Sequence, residues 1–263
     1  MKKSVLFSLL GLAVCLFTAC SSDNNEGEEP TPPTVSGKKI SSVKTIWGGD
    51  GSDGTLITLS YDKQGRVNSI KDVSTEKGEI YTANANYNYS NTSIEVKENE
   101  SGGDSYSYNY TLDDNKRISK AVVAHNNHAE TCEYTYDGNG QLAGITTNGG
   151  ENYSISWHNG NISTVVCTET RNGKTSQSVE NYTYTNYSTK NLIGIAGRGV
   201  VGISYLDPVL FVQGYFGAYP KNTISTYTRN NEPTETQKYE VDGQGYITKL
   251  SVSDGDISTI TWE

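Results

Sequence analysis

The chain is short of the residues that fill most protein interiors. Its 263 residues include one methionine, Met1, and only four phenylalanines, four cysteines and six prolines. A core without methionine lacks its most adaptable filler, so bulk must come from the nineteen tyrosines. Stiff aromatic rings suit pleated sheets better than helical interfaces. Cys15 and Cys20 fall close to the start, which leaves Cys132 and Cys167 for the remainder. These two lie about three strands apart in a simple meander, beyond the roughly 4.4–6.8 Å that a disulfide spans, so both are expected unpaired. Positive charge is scarce as well: 21 Lys and Arg against 30 Asp and Glu give a net charge of -9, or -11 once Lys2 and Lys3 are removed. That balance excludes nucleic acid and anionic lipid as natural partners. The sequence contains no G-x-S-x-G, H-E-x-x-H or P-loop pattern, so neither a catalytic site nor a cofactor is implied.

Long apolar runs are missing too, apart from Ser4 to Phe17 behind Met1-Lys2-Lys3. That run is short for a membrane span and reads as a secretory signal over residues 1–19. It ends in Phe17-Thr18-Ala19-Cys20, which resembles the bacterial lipobox, whose Cys is diacylated and becomes the new N-terminus. Cys20 is therefore the expected lipid-attachment residue, and residues 20–37, rich in Glu, Asp and Pro, form a solvated tether. Acidic residues close behind such a Cys resemble a signal that exports lipoproteins to the outer face of the outer membrane. An outer-membrane lipoprotein is expected, periplasmic or surface-exposed, with the surface favoured. Residues 38–263 remain as one domain.

What the domain has in abundance is one kind of corner. Asp62-Lys63-Gln64-Gly65, Asp137-Gly138-Asn139-Gly140 and Asp242-Gly243-Gln244-Gly245 share D-x-x-G, each followed by any residue and then an apolar one. Asp113 to Arg117 repeats the phrase with Lys116 in the glycine's place. Asp bonds its own downstream backbone and Gly supplies positive φ, which is hairpin chemistry. Shorter Asn-Gly and Asp-Gly corners alternate with these in HNGNISTV (158–165) and SDGDISTI (253–260). Residues 136–157 and 241–262 align without a gap, ending at Trp157 and Trp262. Between corners the segments alternate, as in SYSYNYTL (105–112), where Tyr106, Tyr108 and Tyr110 share one face. About sixteen strands joined by short loops make an all-β, antiparallel up-and-down meander. One spacing resists this: Val67 and Ile70 are three apart, which requires a bulge or apolar contacts on both faces.

So many strands must curl, close or split to protect their edges, and a closed barrel of this size needs something to fill it. The most apolar stretch, residues 191–220, is where the hairpin rhythm lapses. Asp207 as N-cap, Pro208 at the first helical position and Val209 to Gln213 read as a short helix ended by Gly214 or Gly217. The segment near 207–217 is therefore expected to cover or plug the sheet, with another pair of buried strands as the alternative.

GYFGAYPKN at 214–222 and YEVDGQGYITKLSVSDGDISTITW at 239–262, behind a lipoprotein leader, resemble a bacterial lipoprotein family of unknown function with a porin-like fold. The D-x-x-G corners are more distantly similar to YD repeats. The family resemblance implies a curved or closed many-stranded meander and transfers no functional residue. Nor does the shape imply a channel. A lipid-facing strand needs about nine to eleven residues with every second one apolar. RVNSIKDVST and KTSQSVENYTY instead carry Lys, Asp, Gln and Glu on either face.

Candidate chemistry is sparse. His125 and His128 sit in HNNH beside a turn and His158 opens another, positions that suit solvated side chains better than ligands. GGDGSDG (48–54) offers Asp50 and Asp53 but lacks the further spaced oxygens that calcium needs, so no metal is expected. Tyr106, Tyr108 and Tyr110 are the ligand-binding candidates, as the longest uninterrupted ladder, although cross-strand tyrosines also serve as core. The expectation is a membrane-anchored, non-catalytic module binding a neutral glycan or a partner protein. A structural or assembly lipoprotein, and a glycan-active enzyme, are the alternatives.

Overall fold

The computed structural model describes residues 37–48, 51–125, 128–190, 203, 205–230 and 232–263. The leader, Cys20 and nearly all of the tether therefore lie outside the described residues. Sixteen strands follow one another in chain order. The first half comprises β1 (Ile40–Ile46), β2 (Gly54–Tyr61), β3 (Val67–Glu76), β4 (Glu79–Tyr89), β5 (Ser93–Glu100), β6 (Ser105–Leu112), β7 (Ile118–His125) and β8 (His128–Tyr136). The second half comprises β9 (Leu142–Thr147), β10 (Glu151–His158), β11 (Asn161–Arg171), β12 (Lys174–Ser188), β13 (Asn222–Arg229), β14 (Glu235–Val241), β15 (Ile247–Val252) and β16 (Ile257–Trp262). Every strand pairs antiparallel with its neighbour in sequence, and β1 pairs with β16, so the meander closes into a barrel. Closure settles the edge problem that the strand count raises.

The four D-x-x-G corners all lie at one rim and share one geometry. At Asp62 the backbone N–H bonds the Arg66 carbonyl, and the carboxylate accepts from the N–H groups of Gln64 and Arg66. Asp137 and Asp242 repeat this pattern, and at Asp113 the backbone bond to Arg117 recurs and the carboxylate accepts from the Arg117 N–H. Lys116 adopts φ +61° where the others have glycine, so the corner holds its shape even without glycine's freedom. The shorter corners are not equivalent to one another. HNGN joins β10 to β11 at this same rim, whereas SDGD joins β15 to β16 at the opposite one. Sequence phrasing alone does not distinguish the two ends of a meander.

The three-residue spacing is a bulge. Tyr61 pairs with Val67 and Ser60 with Ser69, so Asn68 is extra and Val67 and Ile70 both face inward. The same skip occurs at Ser41, Ser119, Ala143, Ser163, Ser225 and Thr248, at the start of every odd-numbered strand except β5. Aromatic residues close to the ends of the even strands stitch these starts together. The Tyr61, Tyr89, Tyr136, Tyr184 and Tyr239 hydroxyls donate to the carbonyls of Ile40, Val67, Ile118, Ile162 and Ile224. The Trp157 and Trp262 indoles donate likewise to Leu142 and Ile247, at 2.8 and 2.7 Å. Each buried carbonyl would otherwise cost about 1–3 kcal/mol to leave unpaired. This is the use of the repeated unit: its corner, bulge and terminal aromatic make one interlocked rim.

That rim is also where the chain between β12 and β13 enters the lumen. Helix α1 (Pro208–Val212) is capped by Asp207, whose carboxylate accepts from the Leu210 N–H at 3.0 Å, and Gly214 follows with φ +79°. Val209, Leu210, Phe211 and Phe216 are almost completely buried. Phe216 meets the ring of Tyr134 at 5.1 Å and that of Tyr110 edge-on at 6.2 Å. Burying each such side chain contributes about 1.5–3 kcal/mol. The plug is fixed to the rim by the Ala218 N–H on the Gly140 carbonyl and the Ile118 N–H on the Tyr215 carbonyl. A Cβ on Gly217 would come within 2.2 Å of the Gly140 oxygen, so only glycine permits this approach. Outward positions such as Lys71, Asn86, Lys97, Asn109 and Asn181 are polar and exposed, so the core lies inside the barrel.

Candidate functional site

The plug fills the lumen from one rim, and at the opposite rim a cavity of about 180 Å³ opens among the far ends of the strands. Alternation along β6 turns Tyr106, Tyr108 and Tyr110 inward and Ser107, Asn109 and Thr111 outward. All three predicted ladder residues line this cavity. They are not an outward platform. Tyr110, 2% exposed, is the floor and packs on Phe216; Tyr108, 4% exposed, stacks on Tyr110 with centroids 6.3 Å apart. Tyr106 lies at the mouth, its ring parallel to that of its cross-strand partner His125 at 4.1 Å. The ladder is thus core at one end and accessible at the other.

The facing wall comes from residues that the ladder does not announce. Tyr205, just before the helix, stands over the cavity with its hydroxyl on Glu130 Oε1 at 3.1 Å. Its carbonyl accepts from the Tyr134 hydroxyl at 2.8 Å, and its ring meets Tyr153 edge-on at 6.0 Å. Glu130 lies on β8, on the inward face that also carries Cys132 and Tyr134. Alternation in HAETCEY would have placed Glu130 inside, but nothing local links it to Tyr205, which is 75 residues away.

The cavity is electrostatically one-sided. Burial, and then the carboxylates of Glu100, Asp104 and Glu98, raise the Tyr106 pKa above the usual phenol value. Burial and then Glu98 do the same to Tyr108, and burial, Glu151 and Glu130 to Tyr205. No lysine or arginine is among the described lining residues. Beneath lies Asp207, which accepts from the Tyr87 hydroxyl at 3.1 Å and whose carboxyl is pushed up to about 6 by burial.

The other sequence candidates are placed as follows. His125 and His128 pair across the β7–β8 turn at the cavity mouth; His158 lies at the plug rim, beside Asn159. Asp53 accepts from the Lys77 N–H, and Asp50 lies outside the described residues. Among the described residues no group of three or more His, Cys, Asp or Glu side chains is arranged to hold a metal ion. Cys132 and Cys167 are unpaired, the first buried with its thiol pushed up to about 12 by desolvation, the second half-buried.

A closed, plugged, porin-like barrel with a small polar-mouthed cavity defines the class. A family profile described as a domain of unknown function (DUF4595) with porin-like fold matches residues 59–251, and the chain belongs to that family. The crystal structure of a porin-like protein from Bacteroides uniformis is similar, with a TM-score of 0.62 at 15% identity. The similarity covers 85% of this chain and 98% of that one, and at such identity it speaks for the fold. No curated protein matches the chain.

Proposed function

We propose that this chain is a lipid-anchored binding module that takes the non-anionic end of a glycan into the tyrosine-lined cavity, without turnover. The observation that carries this reading is the accessible end of the ladder: Tyr106 offers a ring face at the mouth, with Tyr205 and Glu130 opposite. Rings flanked by hydrogen-bonding groups suit sugar faces, and rigid strands hold them at low entropic cost. The size supports the end of a polymer rather than a length of one. A cavity of about 150 Å³ holds a benzene-sized group, whereas drug-sized ligands need roughly 300–1,000 Å³.

The remaining alternatives have less support. Assembly through sheet edges needs an unpaired strand, and the β1–β16 pairing closes the described sheet. The fold is compatible with an outer-membrane location, and the polar outer wall favours attachment through Cys20 over insertion of the barrel. A glycan array and calorimetry on the mature chain test the binding reading. Wild type binds a non-anionic glycan, Tyr106→Ala loses the signal with little change in melting temperature, and no reducing ends accumulate. An array that stays empty overturns it. Cys20→Ala releases the protein into the soluble fraction; retention on membranes in alkaline carbonate contradicts the anchor.

A further inference from the structure

Resting on that binding reading, and deepening it, we infer that the group the cavity recognises is an organic ammonium, carried as an amino or quaternary amine substituent on the glycan. Four tyrosine rings, of Tyr106, Tyr108, Tyr110 and Tyr205, line one small space, with Glu130 the carboxylate and His125 and His128 the imidazoles among its described lining residues. Ring faces carry negative charge density, and an ammonium among several of them is attracted, most where water is excluded. A neutral sugar needs only one stacking face; a space bounded by four rings and a carboxylate is chemistry for a cation.

Three further features agree. The Glu130 carboxylate is held in place by the Tyr205 hydroxyl, so it faces the cavity without reorganising. Asp104 lies at the mouth 3.6 Å from His125 Nε2, beside the Tyr106 ring, and with Glu98 and Glu100 it raises the Tyr106 pKa, so carboxylates adjoin the ladder. The described lining residues include no lysine or arginine.

The test uses the mature chain, two sets of probes and two variants, read by calorimetry or by shifts of the tyrosine ring signals. The first probe is choline, against its uncharged isostere 3,3-dimethylbutan-1-ol, which has the same shape. Glucosamine is then set against glucose and N-acetylglucosamine. The inference expects choline to bind about tenfold or more tightly than the isostere, and glucosamine more tightly than either neutral sugar. Glu130→Gln keeps an acceptor for Tyr205 and should weaken choline about tenfold while leaving the isostere unchanged. Tyr106→Leu should weaken choline to a similar degree at unchanged melting temperature. Equal binding of choline and the isostere, insensitive to Glu130→Gln, overturns the ammonium assignment and leaves the cavity as a neutral site. Binding of the neutral sugars alone overturns it too, while supporting the glycan reading. Silence from every probe, sugars included, overturns both.

Discussion

The two rims of the barrel are made from the same strands and solve opposite problems. At the plug rim, bulges set two apolar residues of each odd strand except β5 inward, and Ile40, Val67, Ile118, Leu142, Ile162, Ile224 and Ile247 form an almost fully buried apolar ring. Tyrosine and tryptophan donors cap the carbonyls that the bulges would strand, and the helix packs on top. At the open rim the inward residues are Thr45, Asp72, Ser74, Glu98, Glu180 and Gln237, buried but polar. Several are held by polar partners: Asp72 accepts from the Ser74 hydroxyl at 3.2 Å, and Glu180 accepts from the Tyr227 hydroxyl and from Arg229, each at 3.1 Å. One end invests in apolar burial and backbone satisfaction, the other in a polar lumen with room left over. Stability should therefore concentrate at the plug rim and binding at the open one.

The largest effect that bears on this contrast is expected from Phe216→Ala, which empties the centre of the plug. A loss of about 3–5 kcal/mol is expected by urea denaturation, and a loss below about 1 kcal/mol would show that the plug is not the core. Tyr108→Ala should fall near the same range, because that ring is enclosed. Next comes Asp207, where the plug meets the polar side. Its folded-state pKa of about 6 lies above the usual value near 4, so folding takes up a proton between these pH values. The stabilisation from this group is complete below about pH 4 and is lost as pH rises through 6. The nearby groups that sense its charge are tyrosines: Tyr87, Tyr89, Tyr108, Tyr110 and Tyr134. Asp207→Asn keeps the cap and should gain roughly 1–3 kcal/mol at pH 7.5 and nothing at pH 4. Wild type proving the more stable at pH 7.5 would refute the sign.

Smaller effects sharpen the comparison. Tyr136→Phe removes only the hydroxyl that caps the Ile118 carbonyl and should cost about 0.5–1.5 kcal/mol, with Tyr184→Phe similar. If neither moves the urea midpoint, the interlocked rim is ornament rather than structure. At the open rim Tyr106→Ala should cost less than about 0.5 kcal/mol, the surface range, while abolishing the ligand signal. Equal stability losses at Tyr106 and Tyr108 would place both in the core and remove the site.

Much of this architecture was legible in the chain. Turn chemistry announced the corners, period-two alternation announced strands with their tyrosines on one face, and Asp207-Pro208 announced a capped helix where the rhythm lapsed. Each of these is a local property, decided by φ, by side chain to backbone bonds or by alternation within a few residues. The bulge was legible only as an anomaly at Val67 and Ile70, since two readings of one strand fit the spacing equally. HNGN and SDGD looked alike and lie at opposite rims, because a turn's chemistry carries no information about which end of the meander it closes.

The chain by itself determined the approximate number of strands, their meander order and that Tyr106, Tyr108 and Tyr110 share one face of β6, because those follow from contacts within one hairpin. Only the tertiary structure decided that the meander closes β1 on β16, that the tyrosine face of β6 turns inward, and that Tyr205 and Glu130 face the Tyr106 ladder across a cavity. Those contacts join residues far apart in sequence, and their strength depends on distances and dielectric shielding that exist only once the barrel is closed. A ladder of three tyrosines has the same sequence whether it is core, platform or cavity wall. Its role is set by what the other fifteen strands and the plug leave uncovered.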